Sequence, residues 1–334
     1  MKIWLFLLKI IVVIANYHEA FMAYLTKQTL TKEPTSLYAP AQYILQLGGK
    51  RIRPLLALMA ADAVEGTYEK ALPAALAVEI FHNFSLVHDD IMDEAPLRRG
   101  KPTVHEKWDV NTAILSGDVM LVNAYQCLNV YPPELFSALT PLFSLTAQQV
   151  CEGQQYDMDF PLQESVSQEA YLHMIKFKTA VLLGCSLQMG AMVGGLSKED
   201  SQAFYDFGIQ LGLAFQLQDD YLDAFGDPKT FGKQVGGDII ENKKTLLYLL
   251  ALENGTPEEK TVLSTLFSSS SANLEEKVER IKAIFKSTKA DEKIQVLIKD
   301  YTNQALKTVE AFAISSEKKA VFTAFAQELM ERKL

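Results

Sequence analysis

The chain has 334 residues, 49% of them hydrophobic and 22% charged, which is ordinary globular composition with enough apolar side chain for a large core. A net charge of −9 excludes general nucleic-acid binding, which leans on a basic surface, although a local cationic cluster can still meet a small phosphate-bearing molecule. Cys127, Cys151 and Cys185 lie in apolar helix-like segments without C-x-x-C spacing, so they read as small core residues in a reducing compartment, here the cytoplasm.

The first 16 residues, "MKIWLFLLKIIVVIAN", are apolar but interrupted by Lys9, short of the roughly 20 residues a spanning helix wants. They read as an extra helix, a mis-assigned start or a weak signal peptide with a small-residue site at Ala15. Residues 17–334 are expected to form a single domain.

With only 17 glycines and 12 prolines, punctuation is sparse, and apolar residues recur at i, i+3, i+4 and i+7. The spacing predicts helices over 17–30, 35–48, 54–65, 70–94, 108–131 and 133–155, with Pro132-Pro133 separating the last two. Further helices are expected over 168–194, 198–224 (Ser197 serving as cap), 242–253, 257–267, 272–287, 290–312 and 316–332. The serine run Ser268–Ser271 reads as a surface loop, and 95–107, 156–167 and 225–241 as loops long or polar enough to be functional. No run of period-two strands is evident, so the expected fold is all-α. Helices 70–94 and 198–224 are apolar on nearly every face and belong at its centre.

Two of these helices end in the same unusual way. "DDIMD" carries Asp89, Asp90 and Asp93, and "DDYLD" carries Asp219, Asp220 and Asp223, each at i, i+1 and i+4 after an apolar run. A solvated acidic helix end is the commoner fate of such residues. Two copies on core-like helices are better explained by divalent cations, because clustered carboxylates repel until a hard cation joins them. Cations stand nearby in the sequence: Lys50, Arg51 and Arg53 in "GGKRIRP", Arg98 and Arg99 after the first cluster, Lys178 beside Thr179 in "FKTA", and Lys233 after the second cluster. Guanidinium and ammonium groups gathered around metal-type clusters suit diphosphate oxygens.

"GGKRIRP", "HNFSLVHDDIMDEAPLRRGKPTVH", "FKTA" and "FQLQDDYLDAFGDPKTFGKQVGGDI", in that order, resemble the signature blocks of the trans-type polyprenyl diphosphate synthases of short-chain type. The resemblance spans roughly residues 35–245 and implies a single large helical bundle of the isoprenoid synthase type with a central substrate tunnel. It implies a transferase that condenses isopentenyl diphosphate head-to-tail with an allylic diphosphate. By the same resemblance Asp89, Asp90, Asp93 and Asp219 would hold three Mg²⁺ ions on the allylic diphosphate, with Asp220 and Asp223 in support. Arg98, Lys178 and Lys233 would contact that diphosphate, while Lys50, Arg53, His82 and Arg99 would bind isopentenyl diphosphate. Thr179 and Gln216 would line the reacting carbons, Lys243 and Lys244 would approach on closure, and the active form would be a homodimer.

Product length in this family depends on residues before the first aspartate cluster. Phe84 lies five positions before Asp89, about 7.5 Å along a helix and roughly 140° around it, so its place at a tunnel floor comes from the resemblance and not from the helical wheel. A large ring at Phe84, Ser85 beside it and no extra residue between Asp90 and Asp93 look closer to the geranylgeranyl type than to the bacterial farnesyl type. Phe81 and Ile80 are further floor candidates.

A class I terpene cyclase shares an aspartate cluster and the ionisation step, but its second metal site has another pattern and it has no use for "GGKRIRP". A non-catalytic partner subunit of a synthase is the other alternative, although such subunits typically lose one cluster.

Overall fold

The computed structural model describes residues 2–28, 32–226, 236–268 and 273–330, with side chains described from Val12 onward. Among these residues the all-α expectation holds; strand is confined to one antiparallel ladder, β1 (Leu97–Arg98) against β2 (Lys101–Pro102). The chain divides into two compact units.

The first unit comprises residues 1–147, 182–205 and 312–319. It contains α1 (Lys2–Lys27), α2 (Thr35–Gln46), α3 (Ile52–Glu65), α4 (Leu72–Met92), α5 (Val104–Lys107) and α6 (Val110–Gln126), together with residues 133–147 of α7 (Pro133–Asp159). It also holds nearly all of α9 (Val181–Val193). Helix α4 is its axis, packed against α3 and α6. Its central stretch from Ala74 to Phe81 is buried throughout, as expected of a helix apolar on all faces. Helix α1 runs from Lys2 through the apolar start of the chain, and from Tyr17 onward it is bound to the body. Phe21 is fully buried, and the Tyr17 hydroxyl donates to Asp62 Oδ2 at 2.9 Å. No described helix is long and apolar enough to cross a membrane.

The second unit comprises residues 148–181, 206–311 and 320–334. It includes α8 (Gln168–Ile175), a π-helical turn (Lys176–Ala180), most of α10 (Gln202–Phe225), and α11 (Gly237–Ile240). There follow α12 (Leu246–Asn254), α13 (Pro257–Ser268), α14 (Leu274–Ser287) and α15 (Ala290–Val309), and most of α16 (Ser316–Met330). Helix α12 is buried almost all round and packs against α15. The charged α14 hides Ile281 and Phe285, buries Lys277 where its Nζ donates to Asn242 Oδ1, and turns its acids outward.

Every expected helix is present; the differences lie at boundaries, at the π-helical turn that interrupts 168–194, and in short elements inside the expected loops. The stretch 156–167 is not all loop: α7 continues to Asp159 and passes into a 3₁₀ turn at Phe160–Leu162. The loop 95–107 holds the β1–β2 hairpin and α5. Helix 242–253 begins only at Leu246, after Thr245. The Ser197 cap forms, its Oγ accepting from Asp200 N at 3.0 Å, although helical geometry starts at Gln202. Lys233 and Ser269–Ser271 lie outside the described residues.

Candidate active site

In the first unit, α4 delivers the first acid cluster at its C-terminal end. The helix stops in a Schellman turn: Glu94 takes a left-handed φ of 49°, Ala95 N donates to Asp90 O, and Glu94 N to Ile91 O. Three carboxylates at the negative end of a helix dipole are unfavourable without cations. Asp90, the middle acid, is fully buried and takes Arg98 Nε at 2.7 Å on Oδ1, while its Oδ2 is buried without a hydrogen-bond partner. Burial pushes the Asp90 carboxyl up, and Arg98 works against that. Asp89 lies 3.6 Å from the Arg98 Nη2, and Asp93 is exposed.

The hairpin aims the arginines. Arg99 and Gly100 are its two turn residues, both at positive φ (54° and 73°), as a tight two-residue turn requires. Arg99 is not a residue that adopts this backbone readily. From there its guanidinium donates to Gly48 O and packs over Gly49, where a Cβ would meet it at 2.8 Å. Arg51, also left-handed at φ 49°, is buried and bonded to Glu79, and Asn83 donates to the same Glu79 Oε1 at 2.9 Å. Arg51 is thus a structural cation, whereas Arg53 Nη1 stands 3.1 Å from His82 Nε2. Burial, and then the charges of Arg53, Arg99, Arg98 and Arg51, hold His82 well below the usual histidine range, so it is neutral at pH 7. Burial and the neighbouring guanidiniums of Arg51 and Arg98 likewise pull Arg99 down. Lys50 is exposed beside this group.

Phe84 is buried against the Phe81 ring at 5.4 Å and the His88 ring at 4.9 Å, and Phe81 continues to Phe143 at 5.5 Å, forming an aromatic wall below the acids. Ser85 is spent locally, its Oγ donating to His82 O at 2.8 Å.

In the second unit a cavity of about 110 Å³ is lined by the π-turn, α8, α10, the end of α7 and residues 238–245. The extra residue in the π-turn re-aims Lys178 and Thr179, a device common at functional positions. Two glycines admit the turn: a Cβ on Gly153 would stand 2.2 Å from Lys178 N, and one on Gly212 2.6 Å from Ala180 Cα. Lys178 Nζ pairs with Asp157 at 2.6 Å. Thr179 Oγ1 donates to Gln216 Oε1 at 3.0 Å, Gln216 Nε2 donates to Asp220 Oδ1 at 3.0 Å, and Tyr171 Oη donates to Asp220 Oδ2 at 2.5 Å. Asp220 is buried; burial first and the charge of Asp238 second push its carboxyl well above the usual range. Asp219 and Asp223 are half-buried, and Asp223 Oδ2 accepts from Asp238 N at 3.0 Å. Lys243 pairs with Glu241 at 2.8 Å, and Lys244 donates to the carbonyls of Phe160 and Gln163.

Each unit therefore brings its own expected residues together. Glu79, Asp157, Tyr171 and Asp238 were not among them: their roles come from partners 15 to 49 residues away, which no local spacing announces. Among the described residues no three His, Cys, Asp or Glu side chains converge as a ready-made metal cage. Mg²⁺ does not demand one, since it commonly takes one or two carboxylates and completes its shell with water and substrate phosphate. The hard oxygen donors at both helix ends, and the partnerless Asp90 Oδ2 among them, fit such an ion.

The polyprenyl synthetase family model matches residues 34–286 of the chain. A geranylgeranyl pyrophosphate synthase of Geoglobus acetivorans is 38% identical over 303 residues, 90% of this chain and 92% of that protein. A crystal structure of a geranylgeranyl pyrophosphate synthase matches with a TM-score of 0.92 at 50% identity, covering 96% of this chain and 99% of that one. Another, from Corynebacterium glutamicum in complex with isoprenyl diphosphate and magnesium, matches with a TM-score of 0.85 at 30% identity over 96% of this chain and 98% of its own. The chain belongs to the polyprenyl synthetase family and has its all-α isoprenoid synthase fold.

Proposed function

We propose that the protein is a prenyltransferase that joins isopentenyl diphosphate head-to-tail to an allylic diphosphate, giving a short-chain trans-polyprenyl diphosphate, with geranylgeranyl diphosphate as the main product. The observation that carries this is the first unit's concentration of guanidinium around a neutral histidine, directly beside buried carboxylate, in a chain of net charge −9. Such a cluster calls for a polyanion.

In this proposal Lys50, Arg53, His82 and Arg99 bind isopentenyl diphosphate; His82, being neutral, can donate from one ring nitrogen without adding to the repulsion among the arginines. Arg98, Lys178 and Lys233 contact the allylic diphosphate. Asp89, Asp90, Asp93, Asp219, Asp220 and Asp223 would serve Mg²⁺, three ions in all, which when bound neutralises the leaving diphosphate. Arg98 and Lys178, each already beside a carboxylate, can transfer their attraction to phosphate oxygens as charge develops on them. The oxygens of Thr179 and Gln216 present lone pairs where an allylic cation would form. Attack by the isopentenyl double bond is then a matter of positioning, and the departing diphosphate can take the lost proton, so no strong protein base is needed. Phe84, with Ser85 beside it, sets the chain length in this reading. Three free cysteines, with Cys185 buried, support a cytoplasmic setting, and exposed Leu115 and Val122 on α6 support a homodimer.

The test is product analysis: purified protein with Mg²⁺, isopentenyl diphosphate and dimethylallyl, geranyl or farnesyl diphosphate in turn, then dephosphorylation and chromatography. A Mg²⁺-dependent twenty-carbon alcohol is expected. A hydrocarbon made from the allylic substrate alone would indicate a cyclase, and no elongation with any primer a partner subunit. Phe84→Ala should lengthen the product; an unchanged distribution would move the floor elsewhere and leave the reaction class intact.

A further inference from the structure

We propose that Tyr171 is a positioning residue that acts through Asp220 to fix the orientation of the Gln216 side-chain amide. The proposal rests on the prenyl transfer proposed above. All four groups of the chain Tyr171–Asp220–Gln216–Thr179 line one cavity of the second unit. A glutamine amide has two near-isosteric ends, and only one of them helps an allylic cation: the oxygen, not the NH₂. Here the carboxylate decides between them. With the Tyr171 hydroxyl donating to Oδ2, Asp220 Oδ1 is the oxygen turned to its other neighbour, and it accepts from Gln216 Nε2. That turns Oε1 toward Thr179, whose hydroxyl donates to it. A flipped amide would set oxygen against oxygen at Asp220 and leave the Thr179 hydroxyl facing NH₂.

Tyr171 itself is buried on α8, and its hydroxyl is the only polar atom of an otherwise apolar side chain. Phenylalanine would fill the same space. What tyrosine adds is one donor, directed at the carboxylate that orients Gln216. The structure thus assigns Asp220 a second duty: both of its oxygens are engaged by neutral donors of its own unit, as suits an orienting group.

A double-mutant cycle tests the relay. Tyr171→Phe should lower kcat by about 10- to 100-fold, the usual range when a group that orients another is lost, with KM for both diphosphates within about twofold. In a Gln216→Ala background the same substitution should change kcat by less than about twofold, because nothing is left to orient. Losses that multiply overturn the proposal. A second measurement is independent of turnover. In protein labelled with ¹⁵N-glutamine, the side-chain NH₂ signals of Gln216, identified by their loss in Gln216→Ala, should move in Tyr171→Phe; unmoved signals overturn the relay. If Tyr171→Phe fails to fold, Tyr171→Met replaces it, since it likewise removes the only donor of that buried side chain and keeps an apolar filling. The same loss of kcat and the same non-additivity are then expected, and multiplying losses again overturn the relay. Wild type that makes no product under any condition defeats the prenyl-transfer reading, whereas active wild type with an additive cycle defeats the relay alone.

Discussion

The acids that close α4 and those that close α10 share one spacing, Asp-Asp-x-x-Asp, yet their middle carboxylates are held in unlike ways. Asp90 is gripped by a charged partner, Arg98, with one oxygen left bare. Asp220 is held at both oxygens by the neutral donors Tyr171 and Gln216, and it faces a like charge at Asp238. In each cluster the middle acid turns inward and its neighbours outward, as 100° per residue dictates. The repeated pattern therefore encodes a repeated direction, not a repeated environment. The first site is built on compensated charge and the second on a hydrogen-bonded chain.

The largest difference should appear when each middle acid loses its partner. Arg98→Ala strands a buried carboxylate and should cost about 3 kcal/mol in denaturant unfolding. Tyr171→Phe removes a neutral donor and should cost about 1–2 kcal/mol. In Arg98→Ala the folded-state pKa of Asp90, already raised by burial, rises further. The folded chain then binds a proton more readily than the unfolded one, so stability falls as pH rises, and the deficit should shrink from pH 7 toward pH 4. Equal costs for the two variants, or a deficit that grows on acidification, would erase the distinction between the sites.

Backbone fit separates the units next. The second unit's π-turn lies against Gly153 with no room for a methyl group, and the obstacle is backbone, which cannot swing aside. Gly153→Ala should cost about 1–3 kcal/mol through overpacking and should shift Lys178 away from Asp157. In the first unit a Cβ on Gly48 meets nothing, and only its φ of +81° opposes substitution. Gly48→Ala should therefore be the milder change, about 1 kcal/mol. Thermal melts of the two variants decide the order.

The same contrasts separate what the sequence makes legible from what only the fold decides. Long apolar periodicity located nearly every helix, because burial of a stripe is a local property repeated every turn. Both acid clusters and the cations near them are legible because each is a short contiguous run. The π-turn at Lys176–Ala180 was not: it arises because α7 and α10 approach closely at Gly153 and Gly212, and isolated glycines in helical patterns carry no partner's address. The inward pairing of Arg51 with Glu79 was equally hidden. In sequence Arg51, Arg53 and Lys50 are alike, and only burial decides that one is structural while another meets His82. The Arg99-Gly100 turn lacks the usual Asn-Gly signal, since arginine is an uncommon choice for a left-handed position.

Acid should strike the first unit through His82. Unfolded, this histidine takes a proton near pH 6.5; folded, burial and four guanidiniums keep it neutral well below that. The unfolded chain thus binds more protons, and the His82 contribution to stability is lost as pH falls below 6.5, by up to about 1.4 kcal/mol per pH unit. His82→Gln should flatten the stability curve between pH 6.5 and 5. Inorganic diphosphate should do so as well, because an anion among the arginines makes a protonated His82 tolerable. A slope unchanged by either would place the acid sensitivity outside the first unit.

The smallest stability change is expected at the hairpin, where function and backbone preference oppose each other. Arg99 occupies a left-handed conformation that costs a residue with a Cβ about 1 kcal/mol. Arg99→Gly removes that strain, adds comparable freedom to the unfolded chain, and gives up an exposed bond to Gly48 O, so stability should move by less than about 1 kcal/mol. Binding should respond far more. A lost charge-assisted contact to a diphosphate should raise KM for isopentenyl diphosphate by about 10- to 100-fold. KM for the allylic substrate should stay nearly level, because in the proposed assignment Arg99 serves only the other diphosphate. Arg99→Asn, which tolerates the same backbone, should behave alike. A fall of more than about 2 kcal/mol in Arg99→Gly would instead make the guanidinium a brace for the Gly48-Gly49 loop, and the left-handed turn would then exist to hold the loop and not to present a charge.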